Sequence, residues 1–76
     1  MNDRIAHLLA DVLQLPAATI TDDLAIRDTE AWNSLRHMEL VVAIETSFGI
    51  RLCAEDIVAM QTMGQIRRVL KEKGAL

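Results

Sequence analysis

This chain is poor in the residues from which closed chemical sites are built. It has a single cysteine, Cys53, which excludes an internal disulfide. That thiol and the two histidines, His7 and His37, are in separate elements, without the close spacing that zinc and iron sites favour, so no metal is expected. The chain also lacks any run of the roughly 20 apolar residues that a membrane span needs. Its opening stretch, MNDRIAHLLADVLQL, interleaves acids and a histidine with apolar residues and does not read as a signal peptide. Membrane insertion and secretion are therefore not expected, and a cytoplasmic location is. Three glycines form no phosphate-cradling loop, and no G-x-S-x-G turn is present. Aromatic side chains are nearly absent, with Trp32 and Phe48 alone.

Cations are in deficit as well. Lys and Arg number 8 against 11 Asp and Glu, for a formal charge of -3, and a mildly acidic body repels phosphates, which argues against nucleic acid as a partner. The balance is uneven along the chain. Asp3, Asp11, Asp22, Asp23, Asp28 and Glu30 face only Arg4 and Arg27 in the first part, whereas Arg67, Arg68, Lys71 and Lys73 crowd the end around Glu72. Such a basic tail suits a solvated last helical turn, whose carbonyl end favours cations, or contact with an anionic partner. With 76 residues, such a chain buries only about 60% of its unfolded surface, so one domain over residues 1–76 is expected, without a deep substrate pocket.

What is present is helical patterning. Ile5, Leu8, Leu9, Val12 and Leu13 recur at steps of three and four, predicting a helix over about residues 3–15, capped by Asn2 or Asp3 and stopped by Pro16. Residues 16–33 mix Pro, Thr and Asp with isolated apolar Ile20, Leu24, Ile26 and Trp32, the pattern of a long ordered loop pinned to a core. A second helix is predicted from Ser34 to Phe48, with Gly49 as its stop. Its run Leu40-Val41-Val42-Ala43-Ile44 covers more than one face, and Glu39 and Glu45 around it favour helix over strand. Residues 50–54 read as an extended crossing, Glu55 to Val58 as one or two helical turns, and Thr62 as the cap of a last helix that ends before Gly74. The expected fold is all-α, a small bundle of three principal helices and one short one. Its predicted core is Leu9, Val12, Leu35, Val41, Phe48, Ile57, Ile66 and Leu70, with Met60, Met63 and a buried Cys53 filling gaps.

The stretch from Trp32 to Leu40 holds the candidate site. Ser34 stands where the long loop enters the second helix, so its hydroxyl can face solvent on a rigid corner, with Leu35 and Met38 anchoring the turn beneath. An ordinary helix cap is the plainer role for the same serine. Ser34 and His37 are three apart, yet a hydrolase also needs an orienting acid, an oxyanion hole and a cleft, so no catalytic residue is assigned. Arg36 and His37 read as a solvated helix face. Trp32 serves equally to anchor a partner or to close the loop over the core. Met38 and Val42 are candidates for exposed apolar contacts.

With these residues in view, the sequence resembles the acyl carrier protein family, including peptidyl carrier domains of similar fold. The family's Asp-Ser-Leu motif at the start of its second helix corresponds to Asn33-Ser34-Leu35, with Asn33 replacing the Asp, an exchange that loses a charge but keeps a side chain able to cap the helix and accept hydrogen bonds. Met38-Glu39-Leu40, Glu45, Phe48, Ile50, Glu55-Asp56-Ile57 and Thr62-Met63 match the family's later positions. The resemblance implies an acyl-carrier-like four-helix bundle and a 4'-phosphopantetheine arm covalently attached to Ser34 by a phosphopantetheinyl transferase. The arm's thiol would hold acyl or aminoacyl groups as thioesters. Partners would be an acyl- or aminoacyl-loading ligase or transferase and a downstream synthase or acyltransferase, in fatty acid, polyketide or nonribosomal peptide biosynthesis. The motif and partner surface would comprise Trp32, Asn33, Leu35, Arg36, His37, Met38, Glu39, Val42 and Glu45. Mixed charge there points to a dedicated carrier in a specialised pathway, acting as a monomer. An unmodified helical adaptor using the same surface is the alternative, and Asn33 is its support, since the missing acid predicts slower loading.

Overall fold

The computed structural model describes residues 4–75. Four α-helices follow in order: α1 (Arg4–Leu13), α2 (Ser34–Phe48), α3 (Ala54–Ala59) and α4 (Met63–Glu72). The expected caps of the first helix, Asn2 and Asp3, lie outside the described residues. The helix ends two residues before the predicted limit because Gln14 takes a left-handed φ of 57°. There its side-chain amide donates to the Asp11 carbonyl at 2.7 Å, and the Leu15 amide closes on the Ala10 carbonyl at 3.0 Å.

The connection from α1 to α2 is ordered, with short 3-10 turns at Ala17–Thr19 and Ile26–Asp28. Ile20 and Trp32 are buried and Leu24 and Ile26 half-buried, so the isolated apolar residues do pin the loop. The backbone clips it as well. The Ile26 amide donates to the Gln61 carbonyl at 2.9 Å, the Met63 amide to Leu24 at 2.9 Å and the Gly64 amide to Asp22 at 3.0 Å. Among the described residues this is an isolated antiparallel bridge at Ala25 and Thr62, with no strand.

α2 has the predicted limits. The Asn33 side chain caps its start by accepting from the Arg36 amide at 2.9 Å, and Gly49, at φ 65°, returns its amide to the Glu45 carbonyl. α4 is opened by Thr62, whose hydroxyl accepts from the Gln65 amide at 3.1 Å. Ile5, Leu9 and Leu13 of α1 pack with Leu40, Val41 and Ile44 of α2 and with Met63, Ile66, Val69 and Leu70 of α4. Met60 completes this core from the turn after α3.

Three expected core residues, Val12, Phe48 and Ile57, are half-buried at its rim. Leu35 is a correction: it is 70% exposed, because at 100° per residue it lies opposite His37, the residue that α2 turns inward at its first turn. Met38, at 50% exposure, likewise does not anchor that turn. Cys53 is a second correction. It is exposed, since it occupies the N-cap position of the short surface helix α3, where its thiol is directed to the Asp56 carboxylate at 3.2 Å.

Candidate functional site

Ser34 is the first residue of α2 and is exposed. The cap role falls to Asn33, not to the serine, and the Asn33 carbonyl also accepts the His37 amide at 2.8 Å. Asn33 thus fixes the helix start at which Ser34 sits. Among the described residues no hydrogen bond engages the Ser34 hydroxyl, which stands as a primary alcohol at a rigid corner.

Three side chains build that corner from below. Trp32 is buried, 1% exposed, and its indole N–H donates to His37 Nδ1 at 3.0 Å, the two rings stacking with centroids 6.0 Å apart. His37 Nε2 lies 2.9 Å from the Ile57 carbonyl oxygen. The indole can only donate and the carbonyl only accept, so this geometry fits the neutral imidazole with its proton on Nε2. One ring therefore ties the loop end to α2 and α2 to α3. Arg36, half-buried, donates from Nη1 to the Val12 carbonyl at 2.7 Å, tying α2 to the end of α1.

The reading of Arg36 and His37 as a solvated face is thereby corrected. Both are consumed internally because the loop and the neighbouring helix ends present backbone carbonyls and an indole N–H that need partners. Trp32 closes the loop over the core, leaving no indole surface for a partner. Glu45 is also turned to the body, accepting the Leu52 amide at 2.9 Å. Of the residues expected on a partner surface, Asn33, Leu35, Met38, Glu39 and Val42 are exposed.

This placement decides what chemistry the serine has. A serine nucleophile needs an adjacent base. Both ring nitrogens of His37 are engaged elsewhere, so the Ser34–His37 spacing does not make a catalytic pair. Among the described residues no group of three His, Cys, Asp or Glu is placed to hold a metal ion. Two open surface grooves, of about 270 and 560 Å³, are lined by Arg4, His7 and Phe48 with their neighbours and by Asp22, Gly64 and Lys71 with theirs; neither includes Ser34. The geometry suits an alcohol that receives a group from another protein.

Two features escaped the sequence. The Trp32–His37–Ile57 chain carries a faint signal, since His37 is in phase with Leu40, Val41 and Ile44 on the inward face. The other is a clasp in which Asp56 accepts from Lys73 at 2.8 Å and from the Cys53 amide at 3.1 Å. These donors hold the Asp56 carboxyl down to about 2, the Lys73 hydrogen bond first and the Cys53 thiol and amide after it.

The sequence profile of a family described as the phosphopantetheine attachment site matches residues 3–70. An acyl carrier protein of Saccharopolyspora erythraea is 33% identical over 64 residues, covering 84% of this chain and 67% of the relative. The polyketide-8 synthase acyl carrier protein 2 of Streptomyces avermitilis is 28% identical over 71 residues, 93% of this chain and 82% of its own length. Acyl carrier protein 3 of Ralstonia nicotianae is 30% identical over 77 residues, 96% and 88% respectively.

Proposed function

The chain belongs to the phosphopantetheine-attachment family of acyl carrier proteins, which are carriers and not catalysts, and on that premise we propose that Ser34 is its attachment residue. The observation that carries this reading is the exposed, unengaged Ser34 hydroxyl at the capped start of α2, inside the matched span. In loading, Ser34 Oγ loses its proton and forms the new bond to phosphorus as the bond to the adenosine bisphosphate of coenzyme A breaks. The base and the metal for this step come from the transferase, since neither is built beside Ser34. The attached arm supplies a thiol that holds acyl groups as thioesters.

The role proposed is that of a monomeric, cytoplasmic acyl carrier serving a specialised biosynthetic pathway. The named polyketide relative supports a polyketide type of cargo. Aminoacyl or peptidyl cargo, and an adaptor that is never modified, are the competing roles. Incubation with coenzyme A, magnesium and a broad-specificity phosphopantetheinyl transferase tests the assignment by intact and peptide mass. One phosphopantetheine is expected on the Ser34 peptide and none on Ser34→Ala, with the fold of that variant unchanged. A folded wild-type chain that stays unmodified beside a control carrier modified in the same tube would mean either that Asn33 demands a dedicated transferase or that the adaptor is correct, and loading of Asn33→Asp under the same conditions separates the two.

A further inference from the structure

The basic end of the chain divides once its partners are followed. Arg67 pairs with Asp22 at 2.7 Å and Lys73 with Asp56 at 2.8 Å. Arg68 and Lys71 are left over. Both are exposed, and among the described residues no hydrogen bond or ion pair engages either side chain, not even with Glu72, one turn beyond Arg68. In a chain with 11 acids for 8 bases, cations that its own acids leave unpaired are unexpected. Lys71 lies in the last turn of α4, where a cation suits the carbonyl end of the helix, but Arg68 stands before that turn and has no such role. Both line the larger of the two open grooves, about 560 Å³, together with Asp22, Gly64 and Arg67. Arg68 and Lys71 are three apart and share a face of α4, and Gly64, four residues before Arg68 on the same face, leaves that side of the helix open.

We propose that this groove docks an acidic segment of a partner protein, which sets its carboxylates on Arg68 and Lys71. Geometry and charge select that occupant over other anions. A phosphate cradle needs free backbone N–H groups, and at the start of α4 the Met63, Gly64 and Gln65 amides already donate to the Leu24 carbonyl, the Asp22 carbonyl and the Thr62 hydroxyl. An anionic membrane or a nucleic acid presents phosphates over a broad surface and brings them onto the exposed Asp22, Asp23 and Glu72 as well. A peptide can place single carboxylates at steps of three or four along a helix and turn neutral residues towards Asp22. The aliphatic stems of Arg68 and Lys71 give it apolar cover. The place of the groove gives it a use. Its lining comes from the connection between α1 and α2 and from α4, whereas the bonds that fix the Ser34 corner run from Trp32, Asn33, Arg36 and His37 to α1, α2 and α3. A segment held in the groove touches none of those residues, so a partner can retain the chain there while Ser34 and α2 meet a second protein.

Fluorescence anisotropy on the full chain tests the groove with a labelled alanine-based helical peptide whose glutamates recur at steps of three and four. Saturable binding is expected, weakened about tenfold in Arg68→Gln and in Lys71→Gln and further in Arg68→Glu. Arg51→Gln, at an exposed cation outside the groove, changes it less than about twofold. Raising NaCl from about 0.05 to 0.5 M weakens it at least about tenfold, and the same peptide with Gln in place of Glu does not bind. Ser34→Ala binds as the wild type does, so the result stands whether or not Ser34 is the attachment residue. No binding of the glutamate peptide, or binding that ignores Arg68→Gln and Lys71→Gln, overturns the proposal. Loss of binding in Ser34→Ala moves the contact to α2 and overturns it too. Competition by inorganic phosphate beyond that of NaCl at equal ionic strength gives the groove to a phosphate, and co-sedimentation with phosphatidylglycerol vesicles that Arg68→Gln abolishes gives it to a lipid surface; either result overturns the acidic segment. Arg68 and Lys71 are exposed and unengaged, so unchanged thermal midpoints of their variants keep binding apart from folding.

Discussion

His37 stands where the inward face of α2 would ordinarily hold an apolar side chain, and its value lies in having two ring nitrogens. It accepts the Trp32 indole N–H in buried surroundings and meets the Ile57 carbonyl in half-buried ones. His37→Phe keeps the ring volume and strands both partners, so urea unfolding is expected to show a loss of about 1–3 kcal/mol. Asn33 gives a contrasting case. Its side chain only needs an acceptor oxygen for the Arg36 amide, which Asp supplies equally well. Asn33→Asp is therefore expected to change stability by less than about 0.5 kcal/mol, while Asn33→Ala costs about 1 kcal/mol. If an acid before the serine assists the transferase's metal, Asn33→Asp also loads faster than wild type, which a mass-resolved time course would show. At this scale Ser34 and its capping neighbour were legible, because turn and cap chemistry is local. Leu35, Arg36 and His37 were not, because their directions depend on which carbonyls and N–H groups the loop and α3 bring within reach.

Elements were read best where both ends carry local signals. α2 has its cap at Asn33 and its left-handed stop at Gly49, and its limits followed from those residues alone. α3 shows the opposite case: a six-residue helix whose residues are all at least partly exposed, held by the Asp56 clasp, by the Ile57 carbonyl at the His37 ring and by Ile57 at the rim of the core. Asp56 is depressed in the folded chain from 3.8 to about 2, so the stability it contributes is fully present above about pH 4 and is lost as pH falls through about 2. Urea midpoints of wild type and Asp56→Asn are expected to differ at about pH 6 and to converge towards pH 2. The start of α4 is restricted by the loop. A Cβ on Gly64 would meet the Asp22 carbonyl oxygen at 3.3 Å, and that carbonyl is held in place by accepting the Gly64 amide while the adjoining Met63 amide binds Leu24. Gly64→Ala is therefore expected to lower the thermal midpoint, although Ala favours a helix by up to about 1 kcal/mol over Gly. An alignment of Asp22 with Gly64 was invisible in the sequence because it is a contact between elements 42 residues apart.

Over the whole molecule, one acid of the acidic first part and one of α3 meet the basic end of the chain. Asp22 pairs with Arg67 at 2.7 Å and Asp56 with Lys73 at 2.8 Å, so two cations of the basic tail face the body. Such exposed pairs contribute little each, about 0–1 kcal/mol, and the shared apolar core has to supply the cooperativity. Every support of Ser34 passes into that core: Trp32 from the loop, Arg36 through the end of α1, His37 through α3. The corner that presents the serine should then have no stability of its own. Trp32, the sole tryptophan, reports on that corner, and far-ultraviolet circular dichroism reports on the helices. Their urea transitions are expected to coincide, as a two-state domain requires. Leu40→Ala, at a fully buried position of α2 that takes no part in the Trp32–His37 hydrogen bond, should lower stability by about 2–5 kcal/mol and move both transitions together. A fluorescence transition that precedes the helical one would mean that the loop unlatches independently, and Ser34 would then be presented by a hinged segment instead of a fixed corner.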